Sequence, residues 1–214
     1  MFASEWNINS AVKGDCMKIG LLDYGAGNLG SMRSALNQLN LEFKDISYVE
    51  EIDTVDTLII PGVGAFNSGM INLNRKGMTP EILNFAQAGK KILGICLGMH
   101  VLASTGDEGG YSNGLGLIPG SIKKLEKNMN SRVPHLGWDG ITFGDSSLTN
   151  YVYFAHSYYF ELNGNSAVEV EASFDWNGHQ IPAVIRKNNL IGIQFHPEKS
   201  ANFGLNLLDR YVRE

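Results

Sequence analysis

One cysteine on a glycine-flanked turn, and a histidine followed two residues later by a glutamate, carry the chemistry this 214-residue chain could perform. Cys96 stands in Gly94-Ile95-Cys96-Leu97-Gly98, directly after an apolar run, and far downstream comes Gln194-Phe195-His196-Pro197-Glu198. A thiol, an imidazole and a carboxylate that orients the imidazole can together attack a carbonyl carbon and break an amide bond. Gly94 and Gly98 remove side chains where a strand and a helix must approach closely, so the thiol can be held up on a tight strand-to-helix turn. A helix starting at Leu97 would aim free N–H groups at the sulfur, favouring thiolate, and Leu97 N–H is the nearest donor for a developing oxyanion. Proline after His196 biases that residue towards extended backbone, so the 196 and 198 side chains point to one side and Glu198 can fix the imidazole tautomer. A third motif, Pro61-Gly62-Val63-Gly64-Ala65-Phe66, also follows an apolar run and offers the Val63 or Gly64 amide as a second oxyanion donor. Taken singly, each motif fits a packing cysteine, a surface turn or an ordinary loop. Their combination calls for a nucleophilic enzyme.

Such a set works only if the chain brings its parts to one edge. Residues 17–23 read as a buried strand, residues 28–40 as a helix with Leu29, Met32, Leu36 and Leu39 on one face, and residues 41–49 as a second strand. Thr57–Ile60 is a third strand, and a helix runs from 79 to 88 with Thr79 as N-cap and Pro80 in its first turn. Lys91–Ile95 is a central strand with a helix over 97–104 behind it. This alternation predicts an α/β fold, a mostly parallel sheet covered by helices on both faces, with ligands beyond the carboxyl ends of the strands. Beyond residue 120 the pattern changes to short β-like runs at 122–125, 151–154, 167–174 and 181–186, then a core strand over 190–195. A closing helix over 200–212 carries Phe203, Leu207, Leu208 and Tyr211 on one face.

Composition bounds the alternatives. With 43% hydrophobic and 18% charged residues, the chain can bury one α/β core, and we expect one domain over 17–214 preceded by a tail over 1–16. A net charge of −5 argues against nucleic acid as main partner, no apolar stretch suits a membrane, and the first residues lack the pattern of a secretion signal. Two cysteines, Cys16 and Cys96, provide neither a disulfide framework nor CxxC spacing, so no metal or other cofactor is expected, and a reducing cytoplasm suits a working thiol. One competitor comes from another class. Gly25-Ala26-Gly27-Asn28-Leu29-Gly30 matches the dinucleotide-binding GxGxxG, with Glu50 and Glu51 placed as ribose-binding acids. Asp23 would repel a pyrophosphate there, and that reading leaves Cys96, His196 and Glu198 without a task.

Read in order, Asp23-Tyr24-Gly25-Ala26-Gly27-Asn28-Leu29, Pro61 to Phe66, Gly94-Ile95-Cys96-Leu97-Gly98-Met99, Pro134-His135-Leu136-Gly137-Trp138, His156-Ser157-Tyr158 and Gln194 to Ser200 resemble the class I glutamine amidotransferases. Within them the chain is most similar to glutaminase subunits of imidazole glycerol phosphate synthase, from Met17 almost to the C-terminus. The resemblance implies a flavodoxin-like fold and a Cys96–His196–Glu198 triad that hydrolyses glutamine to glutamate and ammonia. It implies oxyanion or substrate contacts at Val63, Gly64, Leu97, His100, His156, Ser157 and Tyr158. It further implies a heterodimer with a cyclase/synthase subunit that consumes the ammonia in histidine biosynthesis, with Asn28, Pro134, His135, Trp138 and Lys199 near the partner. One position departs: the family carries glutamine where this chain has His100. Related glutaminases that feed sugar amidation in surface-polysaccharide synthesis remain an alternative.

Overall fold

The computed structural model describes residues 17–129, 131–144, 146–164 and 167–214, so the expected tail over 1–16 lies outside the described residues. The first half alternates strands and helices: β1 (Ile19–Leu22), α1 (Leu29–Gln38), β2 (Phe43–Ile46), β3 (Thr57–Ile60), α2 (Phe66–Arg75), α3 (Met78–Gln87), β4 (Lys91–Ile95) and α4 (Leu97–His100). The second half is mostly strands: β5 (Thr105–Gly106), β6 (Ser112–Asn113), β7 (Gly120–Lys124), β8 (His135–Phe143), β9 (Thr149–His156), β10 (Tyr158–Leu162), β11 (Glu169–Trp176), β12 (His179–Lys187) and β13 (Leu190–Ile193), closed by α5 (Ala201–Arg213).

Nine strands form one sheet in the order β2-β1-β3-β4-β13-β12-β11-β8-β9. The run from β2 to β13 is parallel, and from β13 onward every pairing is antiparallel. The β-rich second half therefore continues the parallel sheet, while β10-β7-β5-β6 form a smaller one. Parallel strands covered on both faces read as unbroken apolar runs, and β3, β4 and β13 do so. Successive residues feed opposite cores. Ile59 and Leu93 pack with α1 and α5, whereas Leu58, Ile60 and Ile92 pack with α2 and α3. In β9 and β11 burial instead alternates, as expected for antiparallel strands with one face towards solvent.

Three local expectations need correction. The helix over 79–88 begins at Met78, and its N-cap is Gly77 at φ 68°; the Thr79 hydroxyl turns back to Asn74 Oδ1 at 2.7 Å instead. The helix behind Cys96 is a single turn, Leu97–His100, because the chain must turn at once into the small sheet. An extended N-terminal dipole at the thiol is therefore absent, although the amides of that turn remain. Helix α2 and strands β8 and β10 carry no expectation from the sequence.

Candidate active site

Strands β4 and β13 are parallel neighbours in register, with Ile95 opposite Ile193, so both end at the same edge. Cys96 is the first residue beyond β4, and its N–H donates to the Ile193 carbonyl at 2.7 Å. His196 follows β13 and donates its N–H to the Tyr153 carbonyl of β9 at 2.9 Å. Cys96 is held at φ 53°, a left-handed conformation unusual for a residue with a side chain and typical of a nucleophile on a sharp turn. The glycines act as expected: a Cβ on Gly98 would strike the Ile60 carbonyl, and one on Gly94 would strike the Gly98 carbonyl.

Glu198 Oε1 accepts from His196 Nδ1 at 2.9 Å, with the two side chains 4% and 3% exposed. The pair forms because Pro197–Lys199 is a short 3-10 turn that folds the carboxylate back onto the ring. This fixes Nδ1 as the protonated nitrogen and leaves Nε2, buried and without a directed partner, for the thiol. Burial disfavours a charged ring, but Cys96 and Glu198 outweigh it and push the His196 pKa up to about 10. The site is thus built to hold an imidazolium beside the Cys96 sulfur.

Cys96 opens into a cavity of about 310 Å³ lined by Val63, Gly64, Ala65, Leu97, His100, Glu108, Pro134, Ala155, His156, Ser157 and Tyr158. The expected oxyanion and substrate residues thus come together around one sulfur. Glu108 was not anticipated. Its carboxylate caps α2 by accepting from Phe66 N–H at 3.1 Å, and burial raises its pKa. The signal available was an acid pair, Asp107-Glu108, set against Gly109-Gly110 shortly after the cysteine.

A comparison with protein-family models matches residues 20–211 to "Glutamine amidotransferase class-I". The chain belongs to the class I glutamine amidotransferases. It is 41% identical to the imidazole glycerol phosphate synthase subunit HisH of Oceanobacillus iheyensis, over 90% of this chain and 97% of that one. It is 38% identical to the protein of the same name from Bacillus subtilis, over 91% and 95%. Among solved structures, one described as a glutamine amidotransferase superposes with a TM-score of 0.72 at 20% identity, covering 91% of this chain and 97% of that one, a likeness of fold.

In this glutamine amidotransferase the expected oxyanion donor is engaged. Leu97 N–H donates to the Gly62 carbonyl at 3.4 Å, a long bond that occupies the amide nearest the sulfur. Beside that peptide lies the Tyr24 hydroxyl, fully buried and without a partner, and a Cβ on Gly62 would strike it. Burial first, and the Cys96 charge second, push the Tyr24 pKa up, so the phenol stays protonated. An unpaired buried hydroxyl is destabilising, so Tyr24→Phe is expected to raise stability by about 1 kcal/mol. At this chain length that is a rise in Tm of roughly 2–4 °C, readable by calorimetry.

His100 Nε2 lies 2.9 Å from Gln194 Oε1, which can only accept, so the ring donates there. Burial holds its pKa near 4, so the ring is neutral and offers its other nitrogen only as an acceptor. The glutamine expected at this position from the family would offer a donor as well. His156, expected to bind substrate, has both ring nitrogens committed within the protein, to the Tyr158 carbonyl and to His135. It builds the cavity wall.

Of the residues expected near a partner, Asn28, Pro134, Trp138 and Lys199 are exposed, while His135 is only 7% exposed and faces inward among aromatic rings. Trp138 meets Tyr153 across the β8–β9 ladder, and the Lys199 ammonium sits over the Tyr153 ring at 5.7 Å. That patch is tied to the triad, because the Tyr153 carbonyl accepts from His196 N–H and Tyr153 N–H donates to Ser200 Oγ at 2.9 Å. The GxGxxG loop is no phosphate cradle. Asp23 Oδ1 accepts the Gly25 N–H at 3.2 Å, Asn28 Oδ1 accepts from Ser31, and Glu51 is spent on Ser47 and Tyr48 amides.

Proposed function

We infer that this chain is the glutaminase subunit of an imidazole glycerol phosphate synthase and delivers ammonia to a cyclase/synthase partner in histidine biosynthesis. What supports the reading is that Cys96 and His196 follow the paired ends of β4 and β13, with Glu198 bonded to the imidazole. The names of its curated relatives support the acceptor side.

Cys96 thiolate attacks the side-chain carboxamide carbon of glutamine, and the carbonyl oxygen takes the negative charge. His196, as imidazolium, gives its Nε2 proton to the amide nitrogen, the C–N bond breaks, and ammonia leaves a glutamyl thioester. His196 then takes a proton from water, hydroxide adds to the thioester carbon, and the thiolate departs to release glutamate. Glu198 keeps the ring in one tautomer through both halves. The Glu108 carboxylate is the acid in the cavity able to meet the substrate's α-ammonium. Residues 17–214 act as one domain, the exposed Asn28, Pro134, Trp138 and Lys199 face the partner, and the protein works in the cytoplasm without a cofactor. Among the described residues no helix is long and apolar enough to cross a membrane.

Because the Leu97 amide is bonded to Gly62, the isolated chain should hydrolyse glutamine slowly. Glutamate release measured with candidate synthase partners is expected to rise roughly tenfold or more when the right partner and its substrate are present. Fast hydrolysis by the chain alone would overturn the coupling. Stimulation by a sugar-amidating partner instead would reassign the acceptor, while absence of turnover with every partner would overturn the enzyme reading.

A further inference from the structure

Behind the cavity wall runs a chain of polar contacts that uses none of the triad. His156 Nδ1 is 2.8 Å from the Tyr158 carbonyl, His156 Nε2 is 3.2 Å from His135 Nδ1, and His135 Nε2 is 3.0 Å from Asp139 Oδ2. The other Asp139 oxygen accepts the Gly140 N–H at 2.7 Å, which fixes the carboxylate in place. Counting protons decides the charge of this chain. Both ends, a carbonyl and a carboxylate, only accept, so each of the three contacts needs its own proton. Two neutral imidazoles carry two protons between them. Any neutral arrangement therefore sets two lone pairs against each other at hydrogen-bond distance. One extra proton removes the conflict, and it belongs on His135, because burial holds the His156 pKa near 3.

The surroundings favour that charge. The His135 ring stacks on Phe154 at 4.4 Å and lies 5.1 Å from Phe174 and 4.9 Å from Trp176, within the range where aromatic faces attract a cation. Burial lowers the His135 pKa, and Asp139 offsets only part of that fall. The same low dielectric makes two opposed lone pairs costlier still, so the hydrogen-bond count prevails. The other charged groups lining the depression outside His135 are Asp139 on its own strand, Arg132 before it and Asp175 on β11. His156 faces it from β9 on the cavity side.

We propose that His135 is a positioning residue for glutamine: held as an imidazolium between Asp139 and His156, it braces the cavity wall and supplies the positive field for the substrate's α-carboxylate. Glu108 supplies the negative counterpart for the α-ammonium in the same cavity. With Glu108 in its lining and the His135 charge one ring behind His156, the cavity orients a zwitterion before its carboxamide meets Cys96. This rests on glutamine being the substrate.

The test separates charge from scaffolding. His135→Asn keeps a donor for His156 Nε2 and removes the charge; His135→Phe removes both. For glutamine, His135→Asn is expected to raise KM roughly tenfold with kcat nearly unchanged. For glutamine whose α-carboxylate is converted to the neutral amide, wild type and His135→Asn should have the same KM. In wild type, KM for glutamine should climb as pH rises and the imidazolium is lost, and this climb should vanish in His135→Asn. Nitrogen-15 NMR of the wild-type complex at neutral pH should show both His135 ring nitrogens protonated. A neutral His135, an unchanged KM for glutamine, or an equal loss for both substrates would overturn the proposal. Wild type that turns over no glutamine would instead overturn the glutaminase reading, while the NMR result would still judge the charge.

Discussion

Glutamine hydrolysis is expected to fall by roughly 10⁴- to 10⁶-fold in Cys96→Ala, to the level that binding and oriented amides supply without a nucleophile. No other cysteine is present within residues 17–214, and His196 and Glu198 carry no group that can form the thioester. Folding should survive. Alanine meets the same backbone conformation at φ 53° as cysteine does, and the Cys96 N–H bond to Ile193 does not involve the sulfur. A melting curve beside the glutamate assay separates lost chemistry from lost fold. A second readout follows from the charge. The His196 pKa sits at about 10 partly because of the Cys96 side chain beside it, so it should drop in Cys96→Ala while Glu198 keeps part of the rise. The sign for stability is that of a raised base. The His196 contribution is fully present below the ring's ordinary value of 6.5 and is lost as pH climbs towards 10. Cys96→Ala should therefore flatten the alkaline side of a stability-versus-pH curve. Substantial residual glutaminase in a folded Cys96→Ala protein would exclude the thiol as nucleophile.

What could be read in the sequence follows from which interactions are local. Strands Thr57–Ile60 and Lys91–Ile95 coincide with the expected ones because buried parallel strands are unbroken apolar runs bounded by polar residues. Helix α2 was hidden by its composition: Asn67, Gly69, Asn72 and Asn74 are poor helix formers, and packing of Phe66, Met70 and Leu73 overrides them. Strand β8 was hidden by Gly137 and Gly140, which weaken a strand signal. The Glu198–His196 bond was legible because it spans two residues. The capture of the Leu97 amide by Gly62 was not, since the direction of a carbonyl in a distant loop is set by the fold. His135 was read as a surface residue for the same reason. Its neighbours Pro134 and Trp138 are exposed, and only the pleat of β8, with the rings of Phe154, Phe174 and Trp176, turns it inward.

Glu198→Gln should be the second most damaging change, lowering kcat by roughly 10²–10⁴-fold with little effect on KM for glutamine. The side chain keeps its size, so the buried turn at Pro197–Lys199 loses no packing. Two things are lost. The carboxylate charge that helps raise His196 to about 10 is gone, so the ring holds its proton less strongly. An amide can also present its NH₂ to Nδ1, which would stabilise the tautomer with its proton on Nε2 and disable the ring as a base towards Cys96. Because Glu198 does not line the cavity, substrate affinity has no direct reason to change. The profile of kcat/KM against pH provides the discriminating measurement. With the stabilising charge removed, His196 gives up its proton at lower pH, so the alkaline limb should move towards neutrality. A variant with wild-type kcat and an unmoved alkaline limb would mean that Glu198 merely fills space beside the ring.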